Sequence, residues 1–557
     1  MYRKFHRYYL WIISGCLLIP ALSNAQCIFP ITNKTRTITY RFTPDNASHT
    51  GVLHVTVQFY TGKKGNQPIQ IPTRWANENF YAITNLRAAS EHASIKNSSG
   101  QDSVVVYAPA NSTVILTYDL RKDWIGSLAQ PMQFHPIVMP SYFQFTGSNA
   151  LIKPEIDDAA ITTVNFDWEN LPVDWTIATS FGAGERGQER CQSHTGPWRE
   201  VNQGLYAAGD FRLYHFMIGP QAAILAIRGS WLFTDQQAIE KIQQTVGTVR
   251  RFWHDKGPSY FLVTVLPYDR DRGSSNGSAF TNAFWMYLSR LDNLDKLLPQ
   301  LTHEAFHAWN PMRMGFIPIG EYDHLKWFKE GVTEYYAQLV LLRAGKMDTK
   351  QYVTSLNDDL SRFATSNSEY VRGRIIALWL DGEIRKESNN KHSLDDMMFA
   401  MLRKNHKPLT EERVLKTAAQ FVSEGAVQTL KQAAEQHGPL SAPKRAPGLP
   451  ACIQAQLHTV PEFNLGFDYV TTRRTAIVSG VVPGGAADVA GLRNGQEIRA
   501  MSVLNGDASR PANLKVVTSS GIRTIEYMPR GRMISIWRYT AESGTHTYCS
   551  VVSPEGY

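Results

Sequence analysis

Two histidines stand four residues apart in "QLTHEAFHAWNP", His303 and His307, with Glu304 directly after the first. On a helix, residues i and i+4 share a face, so both imidazoles can present a nitrogen to one ion. Glu304 falls about 100° further round the helix. From there a carboxylate can hold a water on the ion without ligating it, the HExxH arrangement of hydrolytic zinc sites. The competing reading is a helix that carries two solvated or core histidines.

A catalytic zinc also needs a third protein ligand and one open position. Position 313 is Arg313, so a third histidine at the spacing of the extended motif is absent. Downstream, "LKWFKEGVTEYYAQ" offers Glu330 near the start of a second helix, with Trp327 and Phe328 to pack its end against a core. Glu321, Asp323 and His324 compete, but "GEYDHLK" reads as an exposed loop. Glu334 shares the helical face of Glu330 and could hydrogen-bond a ligand histidine; the alternative is a surface carboxylate.

These residues need a scaffold. A chain of 557 residues, 43% hydrophobic and 19% charged, is expected to fold as about three domains. From position 26 to 228, stretches such as "TRTITYRF", "GVLHVTVQFYTG" and "DSVVVYAPANSTVILTYDL" predict a β-sandwich-like domain with long loops, one being the Gly-rich "SFGAGERGQERCQSHTGPW". From 229 to 440 the period becomes helical, first in "TDQQAIEKIQQTVGTVRRFWHD" and then, after one buried strand, "SYFLVTVLPY", in a run of helices. The helix expected around the histidines covers "NLDKLLPQLTHEAFHAWN". A Pro-, Gly- and Ala-rich stretch at 441–457 reads as a linker, and a small strand-rich domain follows at 458–557. The fold class is multidomain α+β.

The N-terminus has Arg3, Lys4 and Arg7, then an apolar run from Leu10 to about Leu22, with small residues Ser23 and Ala25 behind it. This predicts a signal peptide over 1–25 and an exported, periplasmic or extracellular protein with no stable membrane span after cleavage. An uncleaved anchor, or a lipid on Cys16, are the rival readings. Removing the three positive charges takes the net charge from +8 to +5, with no basic run that would suit a nucleic acid. Cys27, Cys191, Cys452 and Cys549 remain and could form two disulfides in any of three pairings.

"HEAFHAWN" followed by "WFKEGVTEYY" resembles the glycyl aminopeptidase family of gluzincin zinc peptidases, and the resemblance extends over nearly the whole mature chain. It implies an opening β-domain, a thermolysin-like catalytic domain and a PDZ domain. It also implies one zinc ion held by His303, His307 and Glu330, with Glu304 as general base, acting on peptide or protein substrates. "SEYVRGRIIALWLD" is similar to the family segment whose tyrosine stabilises the oxyanion, which implies that role for Tyr370. Where the family carries Gly-Leu-Glu-His on an edge strand, this chain has "NGSAFTNAF". Gly277 is kept, but Ala279 and Phe280 replace the acid and the histidine, so a carboxylate for a substrate's free amine is missing. Asn276 and Gly277 can still offer backbone groups to an extended peptide.

"FNLGFDYVTTRRTAIVSGVVPGGAADVAGLRNGQEI" resembles a PDZ domain, in which Leu465, Gly466 and Phe467 would line the loop that receives a peptide's C-terminal carboxylate. The expectation is therefore an exported zinc aminopeptidase. The alternatives are an endopeptidase, a peptidase of modified amino termini, or a PDZ-bearing binding protein without activity.

Overall fold

The computed structural model describes residues 27–541 apart from 30–35, 46–50, 76–77, 98–101, 127, 129–133, 186–189, 256, 269–274, 364–367, 405–406, 437 and 505. The expected signal segment, Cys16 and Cys549 lie outside the described residues. Among the described residues, no helix is long and apolar enough to cross a membrane.

The described residues up to Gly209 form stacked sheets. A six-stranded sheet contains the parallel pair Thr37–Pro44 and Ile161–Trp168, and a five-stranded sheet contains Tyr142–Thr146 and Leu205–Gly209. Alternation in "TITYRFTP" sends Ile38, Tyr40 and Phe42 inward against Phe145, Phe166 and Trp168, the period-two logic of a half-buried strand. A disulfide joins Cys27 to Cys191, and Cys452 is disulfide-bonded too.

The next sheet runs in the order Arg212–Ile218, Gln221–Ile227, Tyr260–Tyr268, Ala283–Ser289, Asn276–Phe280. Its middle pairs are parallel, with the helix Asp235–Trp253 as a crossover. Ala283–Ser289 is buried at every position, because helices cover one face and the five-stranded sheet covers the other; a strand enclosed this way needs no polar alternation. Asn276–Phe280 is the antiparallel edge strand. Beyond it, six helices from Thr333–Arg343 to Glu424–Gln436 complete a mainly helical body.

Four expectations change. The strands Arg212–Ile218 and Gln221–Ile227 pair into the sheet of Tyr260–Tyr268, so position 228 is not the edge of the first domain; strand patterning carries no information about which sheet a strand joins. The Gly-rich "loop" instead contains the strands Gly182–Glu185 and Cys191–Pro197, because small residues fit close strand pairing. The histidine helix is shorter than expected, Leu298–Phe306. The 441–457 stretch is no free linker: Ala442 and Ala446 are buried in the main core, Pro443 fills the space beside Gly382, and from Ile453 the chain is already in a strand.

That strand, Ile453–Phe463, pairs with Arg530–Ala541. Beside it a three-stranded sheet, Ile498–Ser502, Ala512–Thr518 and Gly521–Tyr527, and two short helices enclose a separate small core around Leu492, Leu514 and Ile525. Tyr539 ties this module to the helix Thr349–Arg362. Asn357 donates to its carbonyl at 3.0 Å and accepts from its amide at 2.8 Å.

Candidate metal centre

The helix Leu298–Phe306 starts with Pro299 in its first turn, where a missing N–H costs nothing. Leu298, Leu301, Ala305 and Phe306 are all buried, so the helix is held on several sides and the direction of His303 and Glu304 is fixed by packing. His307 follows as the cap residue with helical backbone angles, which keeps it one turn above His303. All three side chains are buried.

Glu330 arrives on a π-helical turn, Trp327–Val332, that runs straight into Thr333–Arg343. Such widened turns recur at functional sites because they rotate a side chain off the regular helical face. Trp327 and Phe328 are buried at its start, as their place in the sequence suggested. The turn crosses the helix Glu369–Glu387 with backbone against backbone: a Cβ on Gly331 would overlap Gly373 Cα, and one on Gly373 would overlap the Trp327 carbonyl. Only this glycine pair allows the approach that brings Tyr370 beside Glu330.

The donor atoms converge. His303 Nε2 lies 3.1 Å from His307 Nε2, and each is 3.3 Å from Glu330 Oε2. A tetrahedral zinc with ligands at about 2.0–2.1 Å has ligand–ligand edges of about 3.3 Å, so the triangle matches three vertices of that polyhedron. Two nitrogens and one carboxylate oxygen are also the donor set that zinc prefers. This is the one His/Cys/Asp/Glu cluster with metal-ligand spacing among the described residues.

Each of the candidate ligands is oriented from behind. His303 Nδ1 faces Glu334 Oε2 at 3.1 Å, and His307 Nδ1 faces the Asn310 carbonyl at 2.8 Å. With those nitrogens donating, both Nε2 atoms are free to ligate. Glu334 accepts in turn from Gln338 at 2.8 Å, Gln338 accepts from Arg374 at 2.9 Å, and Arg374 donates to Asp359 at 2.6 Å. The Asn310 amide donates to the Phe328 carbonyl and to Thr333, locking the loop after His307 onto the Glu330 turn. Lys329 pairs with the other oxygen of Glu330 at 2.8 Å and donates to Tyr322 at 2.8 Å.

The electrostatics follow from this packing. Burial works against charge on His303, but hydrogen bonds to Glu330 and Glu334 outweigh it and lift its pKa to about 10. Burial lowers that of His307. Burial would raise Glu330, yet Lys329 and the two histidines hold it well below the usual carboxylate range. Glu304, desolvated and flanked by other carboxylates, is pushed up to about 7, the range of a general base that works near neutrality. Tyr370 has its ring 5.5 Å from that of His303. The residue as a whole is about half exposed, 48%, but partial desolvation and the nearby Glu330 and Glu304 raise its pKa, so it stays a neutral donor.

His303, Glu304, His307, Glu330, Glu334 and Tyr370 thus share one pocket, and Gly277 joins them: the place a Cβ would take on it is filled by the Glu304 side chain. Asn276 is its neighbour on the edge strand. Ala279 packs on the main core and Phe280 is buried, so neither presents a charged group. The rejected donors stand apart, Glu321 accepting from the Glu411 amide and Asp323 pairing with Lys326. Leu465, Gly466 and Phe467 belong to the C-terminal module, where Leu465 and Phe467 are buried and the Gly466 amide already donates to Asn464 at 2.8 Å. Asn310, Lys329, Gln338 and Arg374 escaped the sequence reading. Asn310 sits inside the quoted "HAWN", but nothing in its type distinguishes a brace from a turn residue.

Residues 296–395 match the family model described as M61 glycyl aminopeptidase. No curated protein matches the chain. Among solved structures, an aminopeptidase N family protein from Idiomarina loihiensis is similar over 91% of this chain and 98% of its own, with 16% identity and a TM-score of 0.69; at that identity the likeness is one of fold. An M1 zinc metallopeptidase from Deinococcus radiodurans aligns over 74% of this chain and 96% of its own, with 13% identity and a TM-score of 0.49. The matched segment carries both histidines and the distant glutamate, and the enzyme it builds is a zinc metallopeptidase.

Proposed function

We propose that the protein is an exported aminopeptidase of the glycyl aminopeptidase type, holding one zinc ion through His303, His307 and Glu330. The observation that carries this reading is the near-equilateral donor triangle with Glu304 and Tyr370 at its side. When bound, zinc supplies Lewis-acid polarisation of the scissile carbonyl and makes water acidic enough to attack at neutral pH. Glu304 takes the proton of the attacking water and hands it to the leaving amine. Tyr370 donates its hydroxyl hydrogen to the developing oxyanion. Asn276 and Gly277, on the sheet edge, receive the extended peptide backbone. Export is supported by the disulfide Cys27–Cys191, a bond suited to an oxidising compartment.

The Ala279 and Phe280 positions favour a second reading, cleavage that does not depend on a free amine. Peptides with free and acetylated amino termini separate the two: loss of cleavage on acetylation is expected of the aminopeptidase, and undiminished cleavage overturns it. Glu304→Gln is expected to keep zinc and lower kcat/KM by roughly 10²–10⁴-fold; zinc binding without any wild-type hydrolysis would instead indicate an inactive binding protein. For the C-terminal module we propose a PDZ-like fold, in which a peptide carboxylate at Leu465–Phe467 must first displace Asn464 from the Gly466 amide.

A further inference from the structure

Glu304 is the group whose placement the chemistry tolerates least, yet no hydrogen bond to its carboxylate forms among the described residues. It is buried, so walls rather than partners hold it. One wall is the edge strand. An ideal Cβ on Gly277 would lie 2.6 Å from both Cγ and Oε1 of Glu304 and 2.8 Å from its Cδ. Gly277 is absent from the glycines with positive φ, so no left-handed backbone calls for glycine there; the lack of space for a Cβ does. Its partner across the ladder, Met286, is fully buried in the sheet, so the strand cannot retreat to make room.

We propose that Gly277 is a positioning residue for Glu304: its missing side chain is the slot in which the general base lies, pressed against the strand that carries the substrate. This rests on the reading of Glu304 as the base, and it assigns Gly277 a task separate from offering its own backbone to a peptide. Any side chain at 277 drives the carboxylate out of the slot and away from the proton it must take.

The test combines Gly277→Ala with Glu304→Ala. In the zinc-loaded enzyme, Gly277→Ala is expected to lower kcat by roughly a hundredfold or more, since sub-ångström to 1 Å misplacement of a catalytic group has that effect. KM should move by no more than about twofold and zinc should remain at one per chain. In metal-free protein the same substitution should lower Tm by roughly 2–8 °C, and adding Glu304→Ala should restore it by vacating the slot. The affinity of the zinc-loaded Glu304→Ala protein for an uncleaved tripeptide should be the same with and without Gly277→Ala. Full kcat in Gly277→Ala, a stability loss that Glu304→Ala does not repair, or a tenfold loss of tripeptide affinity in the Glu304→Ala background would each overturn the proposal. The metal-free melting result stands even if the wild-type protein hydrolyses no peptide, so failure of the peptidase reading is told apart from failure of this one.

Discussion

Zinc uptake by this pocket has to displace a proton, and the pH dependence of that uptake is fixed by three side chains. His303 holds its proton up to about pH 10 against the ordinary 6.5, because Glu330 and Glu334 accept from its two nitrogens. His307 is neutral and Glu330 ionised at neutral pH, so neither contributes. At pH 7.5 His303 lies well below its midpoint of about 10, and at about 1.4 kcal/mol per pH unit the competing proton opposes zinc by roughly 3 kcal/mol, on the order of a hundredfold in apparent affinity. Affinity should therefore climb by about one decade per pH unit from 7 to 9. Chelator-buffered zinc titrations, corrected for the chelator's own protonation, would measure that slope. Calorimetry in buffers of different ionisation enthalpy should count about one proton released per zinc bound. The same raised value has a sign for folding: in metal-free protein the His303 charge stabilises the native state fully below about 6.5 and ceases to do so as pH rises through about 10. An affinity that stays constant within twofold from pH 7 to 9, with no proton release, would show His303 neutral in the empty pocket and refute the reasoning.

Other perturbations follow from the same geometry. Tyr370→Phe should lower kcat by roughly 10²–10³-fold, as loss of one oxyanion donor does, and leave zinc affinity unchanged by chelator competition. Gln338→Leu breaks the line from Arg374 to Glu334; roughly tenfold weaker zinc binding is expected, with a loss of about 1–3 kcal/mol in denaturant unfolding from the stranded Arg374 and Glu334 groups. Gly373→Ala forces apart the helices that carry Glu330 and Tyr370. It should destabilise by about 1–3 kcal/mol and lower kcat, whereas the same change at Gly320, where a Cβ meets nothing, should do neither.

The convergence of His303, His307 and Glu330 was legible because it is written in residue type and helical spacing. Two imidazoles on one turn have few structural uses, and the tryptophan and phenylalanine before Glu330 announce a buried turn. What orients the ligands was not legible. Asn310, Gln338 and Arg374 act through contacts made by tertiary packing, and their types are common in helices with no such task. The role of glycines 331 and 373 is equally silent in one dimension, since each is read only against the other. Domain edges failed for a related reason: Arg212–Ile218 and Gln221–Ile227 look like any other strands, and only their pairing with Tyr260–Tyr268 assigns them to the catalytic sheet. The Pro- and Ala-rich stretch looked like a tether because its composition forbids regular structure, which does not forbid burial.

The grip of Asn357 on Tyr539 has a practical meaning for anyone shortening this protein. Tyr539 is almost wholly enclosed by residues of the preceding body, with Trp537 beside it and its hydroxyl donating to the Pro443 carbonyl at 2.7 Å. A chain stopped at 452 would leave a greasy socket open to water and the N–H2 and carbonyl oxygen of the Asn357 side-chain amide with nothing to hold. The terminal module is thus a plug as much as an appendage, and the peptidase body is finished only when the strand Arg530–Ala541 has been laid down.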